Sequence, residues 1–161
     1  MNNNVLVAYF SVSGVTASVA KELASAAQAD MFEIKPEIPY TQGDLDWMDK
    51  NARSTVEMHD KTYRPAIAEK VEDMSKYDTV FIGFPIWWYV APTIINTFLE
   101  AHDMSGKTII PFATSGGSGF GNTVEELKVS CDESTVWKKG KLLNGRVSAD
   151  TLKAWIQELE L

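Results

Sequence analysis

The chain has almost no cysteine: Cys131 is its only one. A lone thiol excludes an intramolecular disulfide and cannot by itself build a thiolate metal centre. A structural role is the better reading for it, and a reducing compartment suits it. Histidine is nearly as scarce. His59 and His102 stand far apart in sequence, so no metal-binding spacing is present. Basic charge is also short, with 15 Lys and Arg against 22 Asp and Glu and a formal charge of -7. That balance repels the phosphates of nucleic acid and the anionic face of a membrane, so neither is expected as a partner. No apolar run reaches the roughly 20 residues needed to cross a bilayer. Met1 and three asparagines lead straight into Val5 without a basic segment or a cleavable apolar region. The expected location is the cytoplasm.

What is present is a hydrophobic content of 45% in 161 residues, enough for one well-buried core and too little chain for two ordinary domains. Residues 1–161 are therefore expected to form a single domain. Runs of branched and aromatic residues predict strands at Val5 to Phe10, Met31 to Ile34, Thr79 to Phe84, Thr108 to Ala113 and Ser134 to Leu143. Helical spacing fills the intervals at Thr16 to Ala27, Ile67 to Met74, Pro92 to Ala101, Thr123 to Val129 and Ala149 to Leu161. Strands such as Val80-Phe81-Ile82-Gly83-Phe84 are apolar on both faces, as a parallel sheet covered by helices on both sides requires. The expectation is a three-layer α/β sandwich. Pro92 suits a first turn, Gly106 a helix exit and Ser148 a cap for the last helix, whose Leu152, Trp155, Ile156 and Leu159 share one stripe. The long polar stretch from Pro36 to Pro65 breaks the alternation. Loops of that length are commonly functional or disordered. A short helix at Leu45 to Met48 is expected within it, with Trp47 folded back over a cleft.

Three loops carry the chemistry. The first strand passes into a helix through Ser11-Val12-Ser13-Gly14-Val15-Thr16, a turn with three hydroxyls and a glycine that permits close backbone approach. Hydroxyls and the unpaired N–H groups of a helix start suit a phosphate dianion. The helix field supplies only about 0.3–2 kcal/mol, so charge-assisted hydrogen bonds of roughly 1.5–3 kcal/mol each must provide most of the grip. The turn holds no lysine or arginine, which sets it apart from the lysine-bearing loop of nucleoside triphosphatases. The bland alternative is that Ser13 or Thr16 merely caps the helix.

After the third strand comes Pro85-Ile86-Trp87-Trp88-Tyr89-Val90-Ala91-Pro92, with three large rings where a surface loop should be polar. Ligands of open α/β sheets bind beyond the carboxyl ends of the strands at the switch point, where a flat ring system would stack on such aromatics. Burial of Trp87 and Trp88 against a second subunit or the long loop is the alternative. After the fourth strand, Thr114-Ser115-Gly116-Gly117-Ser118-Gly119-Phe120-Gly121-Asn122 leaves backbone amides open to the polar edge of a ring, although no complete dinucleotide fingerprint is present.

Taken in order, Tyr9 to Thr16, Pro85 to Pro92 and Thr114 to Gly121 resemble the motifs of the flavodoxin family, in particular its short-chain bacterial branch. The resemblance spans nearly the whole chain. It implies a flavodoxin-like five-stranded parallel sheet of order 2-1-3-4-5 and FMN as cofactor. It also implies phosphate ligands at Ser11, Ser13, Gly14, Val15 and Thr16, with Val12 in the same turn. Flavin contacts are implied at Pro85, Ile86, Trp87, Trp88 and Tyr89, and at Thr114, Ser115, Gly116, Gly117, Gly119 and Phe120. Many flavodoxins have asparagine where Val15 stands, so here only a backbone N–H can serve. The family's glycine beside the reactive ring nitrogen is missing from Ile86 to Tyr89.

Three functional expectations follow. In the first, an FMN-dependent oxidoreductase takes electrons from NAD(P)H or a reductase and passes them to a small acceptor such as a quinone. Trp47, Arg53, His59 and Arg64 of the long loop then wall the acceptor pocket, and Asp44, Asp46 and Asp49 supply negative charge near the ring. In the second, the chain is an electron shuttle that docks on a basic redox partner protein and has no small substrate. The third is a flavin-free signalling module, which fits poorly because Phe84-Pro85 stands where an acceptor aspartate is needed. A monomer or a homodimer suits each.

Overall fold

A computed structural model describes residues 4–11, 14–38, 40–41, 43–45, 48–58, 60, 62–86, 91–114, 123–138, 140–143 and 148–159. Its parallel sheet contains β1 (Val5–Tyr9), β2 (Asp30–Glu33), β3 (Thr79–Pro85), β4 (Thr108–Thr114), β5 (Val136–Trp137) and β6 (Lys141–Leu142), in the order β2-β1-β3-β4-β5 with β6 also on β4. The helices are α1 (Val15–Ala27), α2 (Arg53–Met58), α3 (Thr93–Ala101), α4 (Thr123–Lys128) and α5 (Ala149–Glu158). The expected flavodoxin-like sandwich with strand order 2-1-3-4-5 is present.

Strand alternation divides the apolar residues between two cores. Val5 and Val7 of β1, Phe81 of β3 and Ile110 and Phe112 of β4 meet Val19 and Leu23 of α1 and Leu152 and Trp155 of α5. Leu6, Ala8, Val80, Ile82, Phe84 and Ile109 point the other way, onto Ile94, Ile95, Phe98 and Leu99 of α3 and Leu127 of α4. Each such side chain, fully withdrawn from water, contributes about 1.5–3 kcal/mol. The stripe predicted for the last helix is core at Leu152, Trp155 and Leu159, with Ile156 partly buried. Ser148 caps that helix by accepting the Thr151 N–H at 3.1 Å.

Four expectations need correction. The single strand predicted over Ser134 to Leu143 is two short pieces, and Pro111 explains the break. The carbonyls of Lys107, Ile109 and Ala113 accept N–H groups from Val136, Lys138 and Leu143, so odd-numbered residues of β4 face the outer edge. Pro111 shares that orientation and has no N–H to give. The register therefore advances by one residue, from Ile109↔Trp137 to Phe112↔Lys141, across the step where the donor is missing. Second, Ile67 to Met74 is not a helix. Ile67 forms an antiparallel bridge with Pro36, and only Met74–Lys76 turns, as a 3-10 helix. Third, Gly106, at φ 72°, does not end α3, which stops at Ala101. It shapes the turn into β4, where the Lys107 N–H reaches the Met104 carbonyl at 3.1 Å.

The fourth correction concerns the long polar stretch, which is structured. Its ends pair through Glu37 N–H to Ala66 O and Ala68 N–H to Lys35 O, both 2.8 Å. Thr41 and Asp44 exchange bonds in the manner of a capping box and start a 3-10 turn at Gly43–Leu45. The predicted helix at Leu45 to Met48 thus begins earlier, while Asp46 and Trp47 lie outside the described residues. The unpredicted α2 buries Ser54, Thr55 and Glu57 and leaves Val56 about half exposed. Glu57 accepts Arg53 Nε at 2.9 Å and the Tyr40 hydroxyl, and the Arg53 guanidinium lies 3.9 Å from the Tyr40 ring centre. Burial, then the bond to Glu57, holds the Tyr40 phenol far above its ordinary pKa. Tyr40 in turn meets Phe10 edge-on at 5.7 Å, which fastens the excursion to the end of β1.

Candidate functional site

Three neighbouring strands deliver the three predicted loops to one end of the sheet. β1 and β3 run in register up to Tyr9↔Gly83, and the Phe10 N–H continues the ladder to Gly83 O at 2.9 Å. β3 and β4 stay paired up to Pro85↔Thr114, where the Ile86 N–H donates to Thr114 O at 2.9 Å. The sheet order makes β1 and β3 the switch point, so the loops leave side by side where such folds hold ligands.

In the first loop, the Gly14 N–H donates to Ser11 Oγ at 3.2 Å. Gly14 is the N-cap of α1 at φ 89°, a left-handed conformation that side-chain-bearing residues resist. Among the described residues, nothing comes within 4 Å of a Cβ built there. The first intrahelical bond runs from Ser18 N–H to Gly14 O at 3.0 Å. The N–H groups of Val15, Thr16 and Ala17 precede it and have no carbonyl in their own helix. Among the described residues no side chain caps this end, and no acid stands in its first turn, whereas α4 carries Glu125 and Glu126 there and α5 carries Asp150 and a serine cap. Gly14 holds the N-cap position, so Thr16 does not fill it, while Ser13 lies outside the described residues. A carboxylate-free helix start that begins on a glycine fits an anionic headgroup such as the FMN phosphate.

Thr16 and Thr114 meet across the site. Their hydroxyl oxygens are 2.7 Å apart, and both residues are buried. This bond joins the first turn of α1 to the last residue of β4, and no motif announced it. Val15 is half exposed, Pro85 and Ile86 are partly buried, and Ile86 packs on the α3-side core. Thr93 opens α3 just after the aromatic loop, and its buried hydroxyl finds no partner among the described residues. Val12, Ser13, Trp87, Trp88, Tyr89, Ser115, Gly116, Gly117, Gly119 and Phe120 lie outside the described residues.

Of the long-loop residues, Arg53 and Arg64 line one cavity of about 430 Å³ together with Glu37, Ile38, Asp44 and Tyr63. Arg64 also donates to Glu100 of α3 at 3.0 Å. Asp44 and Asp49 accept backbone N–H groups of Thr41 and Asn51, so both shape turns. Asp46, Trp47 and His59 are not among the described residues. His102 caps α3 and is committed on both ring nitrogens, to Phe98 O at 2.8 Å and the Val71 N–H at 2.9 Å. Cys131 is half-buried, and burial pushes its thiol up to about 11, so it is a poor nucleophile at neutral pH. Among the described residues no helix is long and apolar enough to cross a membrane.

Comparison with known proteins agrees with this geometry. A candidate flavoprotein from Bacteroides eggerthii DSM 20697 is 49% identical, with 99% of both chains covered and a TM-score of 0.93. A second, from Bacteroides uniformis ATCC 8492, is 50% identical over 98% of this chain and 99% of that one, with a TM-score of 0.90. A flavoprotein in complex with FMN from Lactobacillus acidophilus NCFM shares the fold at a TM-score of 0.70 and 19% identity, with 99% of both chains covered. No curated protein matches the sequence. The flavodoxin family model matches residues 4–159. With that match over nearly its whole length, the chain belongs to the flavodoxin family.

Proposed function

We propose that residues 1–161 form a single FMN-binding domain that transfers electrons in the cytoplasm, as an oxidoreductase acting on a small acceptor such as a quinone. The observation that carries this reading is the start of α1 at Gly14, with no cap and no obstruction among the described residues, tied by Thr16 to Thr114 at the end of β4. When bound, FMN supplies the capacity to accept and release electrons. The chain supplies position. Gly14 lets the backbone approach the phosphate, and the N–H groups of Val15, Thr16 and Ala17 donate to it. Ser11, Val12 and Ser13 complete the turn. Pro85, Ile86, Trp87, Trp88 and Tyr89 flank one side of the ring, and Ser115, Gly116, Gly117, Gly119 and Phe120 the other.

The donor in this reading is NAD(P)H or a reductase. A small acceptor is favoured over a pure protein-to-protein shuttle because Arg53 and Arg64 share a cavity of about 430 Å³, a volume usual for small-molecule sites. The short chain and its net charge of -7 speak for the shuttle.

Titration of the purified chain with FMN should shift the flavin's visible spectrum and quench tryptophan fluorescence. Anaerobic NADPH should then bleach the bound flavin, and a quinone should restore its colour. Failure of FMN to bind at millimolar excess removes the reading. Binding without bleaching, together with salt-sensitive reduction by a basic reductase, transfers it to the shuttle.

A further inference from the structure

We propose that Thr114 is a positioning residue for the phosphate, acting through Thr16; the inference rests on the FMN reading above. The two hydroxyls are 2.7 Å apart and buried, so they are bonded to each other rather than to water. Thr16 is the second residue of α1, directly behind Gly14. Thr114 is not part of that turn. Its backbone belongs to the sheet, where it pairs with Pro85 and accepts the Ile86 N–H at 2.9 Å. The bond therefore references a helix-start hydroxyl to the most rigid element nearby.

Proton counting decides the direction. Each hydroxyl has one proton and can accept through its oxygen. A phosphate dianion offers only acceptors, so a hydroxyl that serves it must donate. If Thr16 donates to Thr114, its proton is spent and it turns a lone pair toward the anion. If Thr114 donates to Thr16, the Thr16 proton is free for the phosphate, and the chain Thr114 to Thr16 to anion is polarised in one sense, which strengthens its last bond. An anion selects the second arrangement. Thr114 is thus assigned a role through Thr16, in place of the direct flavin contact that its motif implied.

Riboflavin, which has the ring without the phosphate, separates this role from cleft packing. The Kd values of FMN and riboflavin should be measured by flavin fluorescence for the wild type, Thr114→Val and Thr114→Ser. Thr114→Val should weaken FMN about three- to tenfold, the size of one net hydrogen bond, and leave riboflavin unchanged. Thr114→Ser should restore FMN to within about twofold. In a Thr16→Val background, adding Thr114→Val should change FMN affinity less than about twofold, because the relay is already cut. Normal FMN affinity in Thr114→Val, equal losses for both ligands, or full additivity of the two valine changes overturns the inference and leaves the FMN reading intact. Absence of FMN binding by the wild type overturns both.

Discussion

Replacing Gly83 by alanine tests the packing that keeps β3 and β4 in register beneath the site. Gly83 pairs with Phe112 of β4 and with Tyr9 of β1, and its carbonyl holds the Phe10 N–H one residue before the turn into α1. A methyl built on Gly83 falls inside the Phe112 ring, which is fully buried against α1 and α5. The ring cannot retreat into solvent. Overpacking of this kind costs about 1–3 kcal/mol. Alanine recovers about 0.5–1 kcal/mol of the entropy that glycine loses in a strand. An overlap this deep takes the upper end of that range, about 3 kcal/mol, so the net loss is about 2–2.5 kcal/mol, or roughly 4–10 °C in Tm for a chain of this size. Thermal and urea unfolding of Gly83→Ala, Phe112→Leu and the double variant would measure it. The smaller leucine should relieve part of the overlap, with a coupling of at least about 1 kcal/mol between the two sites. A Gly83→Ala protein as stable as the wild type, or strict additivity, would refute the reasoning.

Two further outcomes follow from buried polar groups. His102 must donate from Nδ1 to Phe98 O in order to accept the Val71 N–H at Nε2, so the fold holds the neutral ring. Burial, the largest cause, and then Lys70 push its pKa below the ordinary value against the opposing Phe98 bond. Because the unfolded chain binds the proton more readily, this stabilisation is complete above about pH 6.5 and declines as pH falls through the lower folded value. His102→Gln should therefore lose less Tm than the wild type between pH 7 and pH 5; parallel declines would contradict the assignment. The Ser54 and Thr55 hydroxyls are buried with no partner among the described residues. Thr55→Val should raise Tm by roughly 2–4 °C, from about 1 kcal/mol of relieved desolvation, and a scanning calorimeter would show an unchanged or lower Tm if that hydroxyl is satisfied in solution.

The sequence determined the elements whose apolar residues repeat. β1, β3 and β4 are apolar on both faces because helices cover both, and α1, α3 and α5 carry stripes that only a sheet could bury. Those periodicities, with Ser11-x-Ser13-Gly14 between a strand and a helix, were enough to place the turn from β1 into α1 at the switch point of the sheet. Helix α2 was hidden because it inverts the usual rule. Its inward residues are Ser54, Thr55 and Glu57, and Val56 faces water, so no apolar period marks it. Burial of Glu57 is made tolerable by Arg53 within the helix and by the tertiary contact with Tyr40, both of which donate to its carboxylate. The break between β5 and β6 was written locally in Pro111, but its effect depends on which edge the missing N–H faces, and that is settled by β3 occupying the other one. The bond between Thr16 and Thr114 spans 98 positions. No local pattern encodes a contact of that separation, and it exists only because parallel pairing carries the end of β4 to the start of α1.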